Sequence, residues 1–159
     1  TPLWQRVGEA RGKRAGYLWG SVLLLVGAAA TLATVRVGLA AAALSVAVVG
    51  IGYAACQMFP LAMLPDVAAA DTAATGEDRA GTYTGVWTAG ETLGLAIGPF
   101  LYAAVLTIGG YVSSTDAGAR QPDSAQLAIA LGFTVVPAVL VAVSLVFLRR
   151  YRLDVEVAR

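Results

Sequence analysis

One acidic side chain, Glu91, lies within a long apolar segment and is the residue of this sequence best suited to chemistry. It follows Tyr83 by eight residues, which is about 12 Å along an α-helix and inside the hydrocarbon zone of a membrane-spanning helix. A carboxylate there is costly unless it faces a cavity, finds a partner or takes up a proton. We therefore interpret Glu91 as a proton- or cation-binding residue. The alternative is a glutamate that reaches water near the end of its helix.

Threonines share the helical face of Glu91. At 3.6 residues per turn, Thr84, Thr88 and Thr92 fall with Glu91 within an arc of about 100°. Such a polar stripe suits a water-filled cavity, so Thr88 and Thr92 are candidate binding residues. Threonine hydroxyls also bond back to their own helix backbone, which is the alternative interpretation.

Three further side chains are candidates for lining a polar cavity. Tyr53 and Gln57 are i, i+4 neighbours on one helix face. Trp87 presents a flat ring that can stack on a sugar or another planar ligand face. Ordinary helix packing, or an aromatic residue at the membrane interface, is the alternative for all three.

Glycines recur every four residues beside the polar stripe, at Gly90, Gly94 and Gly98. Small residues at this spacing let membrane helices approach closely. The pattern predicts a helix-packing face rather than a direct role in substrate binding.

A polar segment over residues 66–82 contains a cluster of charged residues and is predicted to be a loop. We expect Asp66, Asp71 and Arg79 to form a cytoplasmic gate, with ion pairs that hold one state of a transporter closed. A solvated charge cluster is the alternative.

Composition excludes several classes of protein. The 159 residues are 58% hydrophobic and 13% charged, with a mean hydropathy of +0.72, whereas soluble domains carry roughly 25% charged residues. The net charge of +1 is too small to produce the strongly positive potential that attracts nucleic acid. The chain has no histidine. No metal-binding motif, phosphate loop or nucleophile–base pair is present. We expect neither an enzyme nor a resident cofactor or metal.

Four apolar runs are long enough to cross a membrane, since about 20 helical residues span the hydrocarbon core. The sequence therefore predicts an all-α polytopic membrane protein with four transmembrane helices, flanked by a cytoplasmic loop and a cytoplasmic tail. The four spans are 16–35, 37–65, 83–111 and 126–148, and the flanking segments are 1–15 and 149–159. A pair of buried helices in a large soluble protein is the weaker alternative.

Basic residues cluster at both ends of the chain, four before the first span and four after the last. Lys and Arg gather on the cytoplasmic side, and an even number of spans returns the chain to its starting side. Both ends are thus expected to be cytoplasmic in a multi-pass protein of the cell membrane, with the lipid bilayer as a partner.

Residues 63–111 resemble the glycoside–pentoside–hexuronide:cation symporters of the major facilitator superfamily, which include melibiose-permease-like proteins. The similarity rests on an MLPD start, a polar loop ending in R-x-G, and a helix with Trp and Leu-Gly that ends in Gly-Tyr. The opening PLWQRVGEARGKRAGYLWG resembles the basic loop before the ninth helix of that fold. The matching residues are Asp66, Arg79, Gly81, Trp87, Leu93, Gly94, Gly110 and Tyr111.

The resemblance implies helices nine to twelve of a twelve-helix transporter, with the missing N-terminal part as a partner. It further implies symport of a sugar or related small solute coupled to H⁺ or Na⁺. Family members often carry a lysine at the position of Thr92, and the loop glutamate of the family is Ala80 here. Two alternatives stay open: a four-span scaffold or assembly subunit without transport, and a major facilitator exporter of drugs or lipids.

Overall fold

Five α-helices make up the chain in a computed structural model that describes residues 2–34, 37–113 and 121–150. No strand occurs within these ranges. The helices are α1 (Pro2–Arg11), α2 (Lys13–Thr34), α3 (Leu39–Thr75), α4 (Ala80–Ile108) and α5 (Asp123–Leu148). The last four are long and apolar enough to cross a membrane. The predicted all-α polytopic membrane fold is therefore confirmed.

The closest helix pair is α2 with α3, and glycine makes the contact possible. A methyl group built on Gly52 of α3 would overlap the backbone of Leu24 and Gly20 on α2. One built on Gly20 would overlap Ala55 in return. Because no side chain separates the two backbones, the helices approach closely enough for extensive van der Waals contact. No packing role was predicted for Gly20 or Gly52 individually.

A small apolar cluster closes one end of the α2–α3 pair. Trp4 of α1 packs edge-on against Phe59 of α3, with ring centroids 6.1 Å apart. The indole nitrogen of Trp4 donates a hydrogen bond of 2.9 Å to the carbonyl of Ile51. Met63 and Leu148 pack against the same cluster. The cluster thus joins α1 and the end of α5 to the main helix pair.

Parts of two segments that were predicted to be loops are helical. The segment 1–15, expected to be a loop, contains α1, which ends where Gly12 adopts φ 84°. The segment 66–82 is helical up to Thr75, so only residues 76–79 connect α3 to α4. Polar composition favoured a loop there, but alanines 68–70, 73 and 74 have high helix propensity. The helix ends at Gly76, whose left-handed conformation lets its N–H bond to the carbonyl of Thr72.

The helix α4 lies at the edge of this bundle. It has no buried residue among those described, and it packs mainly on α5 and only slightly on α3. Gly132 of α5 provides the close approach, since a methyl group there would overlap the ring of Tyr102 on α4. The loose contact between α3 and α4 leaves a cavity between them.

Candidate functional site

The cavity between α3 and α4 has a volume of about 510 Å³ and is lined by four of the six predicted binding residues. Its polar groups are Tyr53 and Gln57 from α3, with Trp87 and Glu91 from α4. The i, i+4 spacing of Tyr53 and Gln57 places both on the wall that α3 contributes. The other lining residues are Val86, Gly90, Gly94 and Leu95. Two helices that are distant in sequence thus supply one site.

The Glu91 side chain is exposed to this cavity. Within the described ranges, no Lys or Arg forms an ion pair with it. Its carboxylate is therefore available to hydroxyl groups of a solute, to a cation or to a proton.

The threonine stripe does not line the cavity. Glu91 lies at the border between the cavity wall and the threonine face, so Thr88 and Thr92 point to the adjacent side of α4. The hydroxyl of Thr92 donates a 2.8 Å hydrogen bond to the carbonyl of Thr88, and that of Thr84 donates one of 2.9 Å to Ala80. These bonds fit the alternative interpretation of the stripe, although a role of either threonine toward a partner outside this chain stays a prediction.

The glycine line of α4 has open space beside it. Built Cβ atoms on Gly90, Gly94 and Gly98 meet no atom within 4 Å among the residues described. Gly90 and Gly94 instead form part of the cavity wall. No helix in the described part of the chain contacts this glycine line, so its packing role stays a prediction. Because glycine has no side chain, the cavity is wider at Gly90 and Gly94.

The three predicted gate residues occupy different surroundings. Asp66 accepts a hydrogen bond from the ammonium group of Lys13, with 2.5 Å between Nζ and Oδ2. Arg79 pairs with Glu77 in the 76–79 connection, with 2.7 Å between Nη2 and Oε2. Oδ2 of Asp71 is buried and has no hydrogen-bond partner in the part of the chain that the structure describes. Sequence reasoning missed Lys13, whose only signal was its place in the basic run before α2.

A second pocket of about 480 Å³ lies toward the end of the bundle that holds the Trp4–Phe59 cluster. Tyr17 and Ser144 line it, and their hydroxyl oxygens are 2.7 Å apart. Ser144 donates to its own helix at Val141, so Tyr17 is the donor in the bond between α2 and α5. The ring of Trp87 lines this pocket and the Glu91 cavity alike.

Within residues 2–34, 37–113 and 121–150, no three His, Cys, Asp or Glu side chains lie close enough together to hold a metal ion. The arrangement combines an aromatic face, an amide, a phenol and a carboxylate around an open cavity within apolar helices. A few polar groups around a concave, mostly apolar surface are typical of small-molecule sites.

Comparison with known proteins gives the family. Residues 1–155 match the family described as MFS/sugar transport protein, and the chain belongs to this family of the major facilitator superfamily. An uncharacterized symporter of Synechocystis sp. (strain ATCC 27184 / PCC 6803 / Kazusa) is 31% identical over 139 residues. The alignment covers 86% of this chain and 25% of that protein, so the chain spans about a quarter of its relative's length. No solved structure matches the chain.

Proposed function

We propose that this chain is the C-terminal part of a secondary active transporter that carries a sugar or related small solute by cation-coupled symport. The family and the symporter relative support transport of this kind. The observation that carries the proposal is the cavity that brings Tyr53, Gln57, Trp87 and Glu91 together. Its volume of about 510 Å³ falls within the range of small-molecule sites, about 300–1,000 Å³.

Each polar group of the cavity has a separate task in this proposal. The ring of Trp87 packs against the apolar face of a sugar ring, which is amphipathic. The amide of Gln57 and the hydroxyl of Tyr53 donate to and accept from solute hydroxyls. Glu91 either accepts hydrogen bonds from the solute or binds the coupling ion, H⁺ or Na⁺. The remaining walls come from the missing N-terminal part of the protein.

Alternating access requires the missing helices to move against this bundle around the cavity. We propose that Asp66, Asp71 and Arg79 contribute to the cytoplasmic gate, with both ends of the chain in the cytoplasm and the protein in the cell membrane. The pairing of Lys13 with Asp66 holds that carboxylate in place at the end of the α2–α3 pair. The buried oxygen of Asp71 is then available to a cationic group of the missing part.

Solute uptake by the full-length protein in proteoliposomes tests this function. A panel of labelled sugars is offered under a proton gradient, a sodium gradient or no gradient, at several pH values. We expect one sugar to accumulate in a gradient-dependent manner, and Glu91→Gln to remove the dependence on the coupling ion. Liposomes that hold only residues 1–159 should take up nothing.

Two outcomes would contradict the proposal. Full pH-dependent uptake by Glu91→Gln would show that Glu91 does not bind the coupling ion. Uptake that needs no gradient would show that transport is not coupled to a cation. Efflux of drugs or lipids in the same vesicles would instead identify an exporter.

A further inference from the structure

The two ends of α4 are packed very differently on the rest of the chain. In the C-terminal segment, residues 100–108, the half-buried residues are Leu101, Tyr102, Ala104, Val105 and Leu106. In the N-terminal segment, residues 80–98, the half-buried residues are Tyr83, Trp87 and Gly98. The N-terminal segment is the longer of the two, yet less of it is covered by the described part of the chain.

Close contacts with α5 hold the C-terminal segment in place. A methyl group built on Gly109, at the end of α4, would overlap the side chain of Ala128 on α5. Beyond the helix, the amide of Gln121 donates a 2.7 Å hydrogen bond to the carbonyl of Val112 and accepts one of 3.1 Å from its N–H. This end of α4 is therefore fixed to the start of α5.

The N-terminal segment is attached mainly through the short connection that precedes it. In that connection Arg79 pairs with Glu77, and the N–H of Ala80 bonds to the carboxylate of Asp78. These bonds are local, so they do not tie the segment to another helix.

Open space lies on both sides of the N-terminal segment. The ring of Trp87 lines the Glu91 cavity, of about 510 Å³, and the second pocket, of about 480 Å³. Methyl groups built on the glycines of the segment before Pro99 meet no atom within 4 Å among the described residues, which is true of Gly81, Gly85, Gly90, Gly94 and Gly98. The surroundings in this chain thus leave room for the segment to move.

Pro99 lies inside α4, between the two segments. Proline has no N–H to bond to the carbonyl four residues earlier, here that of Leu95, and its ring crowds the same turn. Sharp bends of long helices occur mostly at proline, which membrane helices tolerate. The preceding Gly98 adds backbone freedom, because it has no side chain. A bend at this point therefore costs less than elsewhere in α4.

We propose that Pro99 is a hinge, about which the N-terminal segment turns while the C-terminal segment stays packed on α5. Glu91 is eight residues from Pro99 and Trp87 is twelve, which is about 12 and 18 Å along the helix. A turn of about 20°, typical of a bend at proline, moves Glu91 by about 4 Å and Trp87 by about 6 Å. The turn widens or narrows the Glu91 cavity within this bundle. Its role in solute binding rests on the proposed function, whereas the hinge itself does not.

Distances between spin labels in the full-length protein, reconstituted in lipid nanodiscs, test the hinge. Cys56 and any other native cysteine are replaced by serine, and labels are attached to Leu61→Cys on α3 and Thr84→Cys on the N-terminal segment. Both positions are exposed. Thr84 is fifteen residues from Pro99, so the same turn moves it by about 8 Å. We expect two populations of distance for this pair.

A reference pair reports on the C-terminal segment. Labels on Ile108→Cys and Leu127→Cys, both at exposed positions, join this segment to α5. We expect one population of distance for this pair. Two populations would show that the C-terminal segment is not anchored, which would overturn the proposal.

Pro99→Ala restores an N–H that can bond to the carbonyl of Leu95, so the bend costs more. We expect the Leu61–Thr84 pair to show one population in this variant. Solute uptake by the full-length protein should fall several-fold, with a melting temperature no lower than that of the wild type. The matched control is Pro137→Ala, a proline inside α5, which should leave uptake and both distances unchanged.

Three results would overturn the hinge: one population for the Leu61–Thr84 pair in the wild-type protein, unchanged populations in Pro99→Ala, or a clearly lower melting temperature in that variant. The last would show that the proline is needed for packing. If the full-length protein takes up no labelled sugar, the proposed function fails, and the distances still decide whether α4 bends at Pro99.

Discussion

Lys13 at the start of α2 and Asp66 on α3 form an ion pair, with 2.5 Å between Nζ and Oδ2. Lys13 also donates a 2.9 Å hydrogen bond to the carbonyl of Ala62, one turn earlier on α3. The two contacts fix the end of α2 against α3 and orient the Asp66 carboxylate. Both side chains are about one-third exposed, 35% and 32%, so the pair contributes at most about 1 kcal/mol to stability.

The first prediction tests whether Lys13 affects solute uptake by orienting the Asp66 carboxylate rather than by stabilising the fold. If Asp66 belongs to the proposed gate, we expect Lys13→Gln and Asp66→Asn each to reduce solute uptake by the full-length protein while shifting the melting temperature little. The charge-exchanged double variant Lys13→Asp, Asp66→Lys should recover part of the rate, because it restores the pair. If Lys13→Gln had no effect while Asp66→Asn was inactive, Asp66 would act through a different partner.

The second prediction concerns the close contact of α2 and α3. Gly52→Ala places a methyl group against the backbone of Leu24, so the helices must separate, at a cost of about 1–3 kcal/mol. We expect a clearly lower melting temperature in detergent for the full-length protein. The matched control is Gly50→Ala on the same helix, where the methyl group meets no atom within 4 Å. Equal melting temperatures for the two variants would show that the α2–α3 contact is looser than described.

The third prediction concerns the glycines of the Glu91 cavity. Gly90→Leu directs a side chain into the cavity, so we expect solute uptake to fall while the melting temperature stays unchanged. Gly85→Leu is the matched control, since Gly85 also has open space beside it but does not line the cavity. A large loss of stability in Gly90→Leu alone would instead support the predicted packing face, with a helix of the missing part against it.

The fourth prediction concerns Trp87. If its ring stacks on the solute, Trp87→Ala removes about 1 kcal/mol of binding, which raises KM about fivefold with a smaller change in kcat. Trp87→Phe keeps an aromatic face, so its KM should lie between those of the wild type and Trp87→Ala. Phe100→Ala, on the exposed surface of the same helix, serves as the control. An unchanged KM in Trp87→Ala would mean that Trp87 only separates the two pockets that it lines.

The helices themselves were predictable, because a long apolar segment that crosses a membrane has few stable backbone conformations. An unsatisfied backbone group in hydrocarbon costs several kcal/mol, so a run of 20 apolar residues must be helical. Their ends were less predictable. Asp66 and Asp71 are polar, yet they lie on α3, because a helix rich in alanine can continue beyond the bilayer into water.

The family resemblance was predictable from Asp66, Arg79 and the motif of α4, since these depend on residue types in order along the chain. The pairing of charges was not. Asp66 and Arg79 are thirteen residues apart, but Asp66 pairs with Lys13 from another helix. The separation of two residues along the sequence does not indicate which helix ends lie side by side in the folded chain.

The sequence by itself determined four apolar helices, a carboxylate inside one of them and a family. Only the tertiary structure decided that Tyr53 and Gln57 face Trp87 and Glu91, and that Thr88 and Thr92 do not line that cavity. Helical periodicity gives the relative angles of residues on one helix. It does not give the rotation of that helix toward its neighbours, which depends on where small residues such as Gly20 and Gly52 allow two backbones to approach.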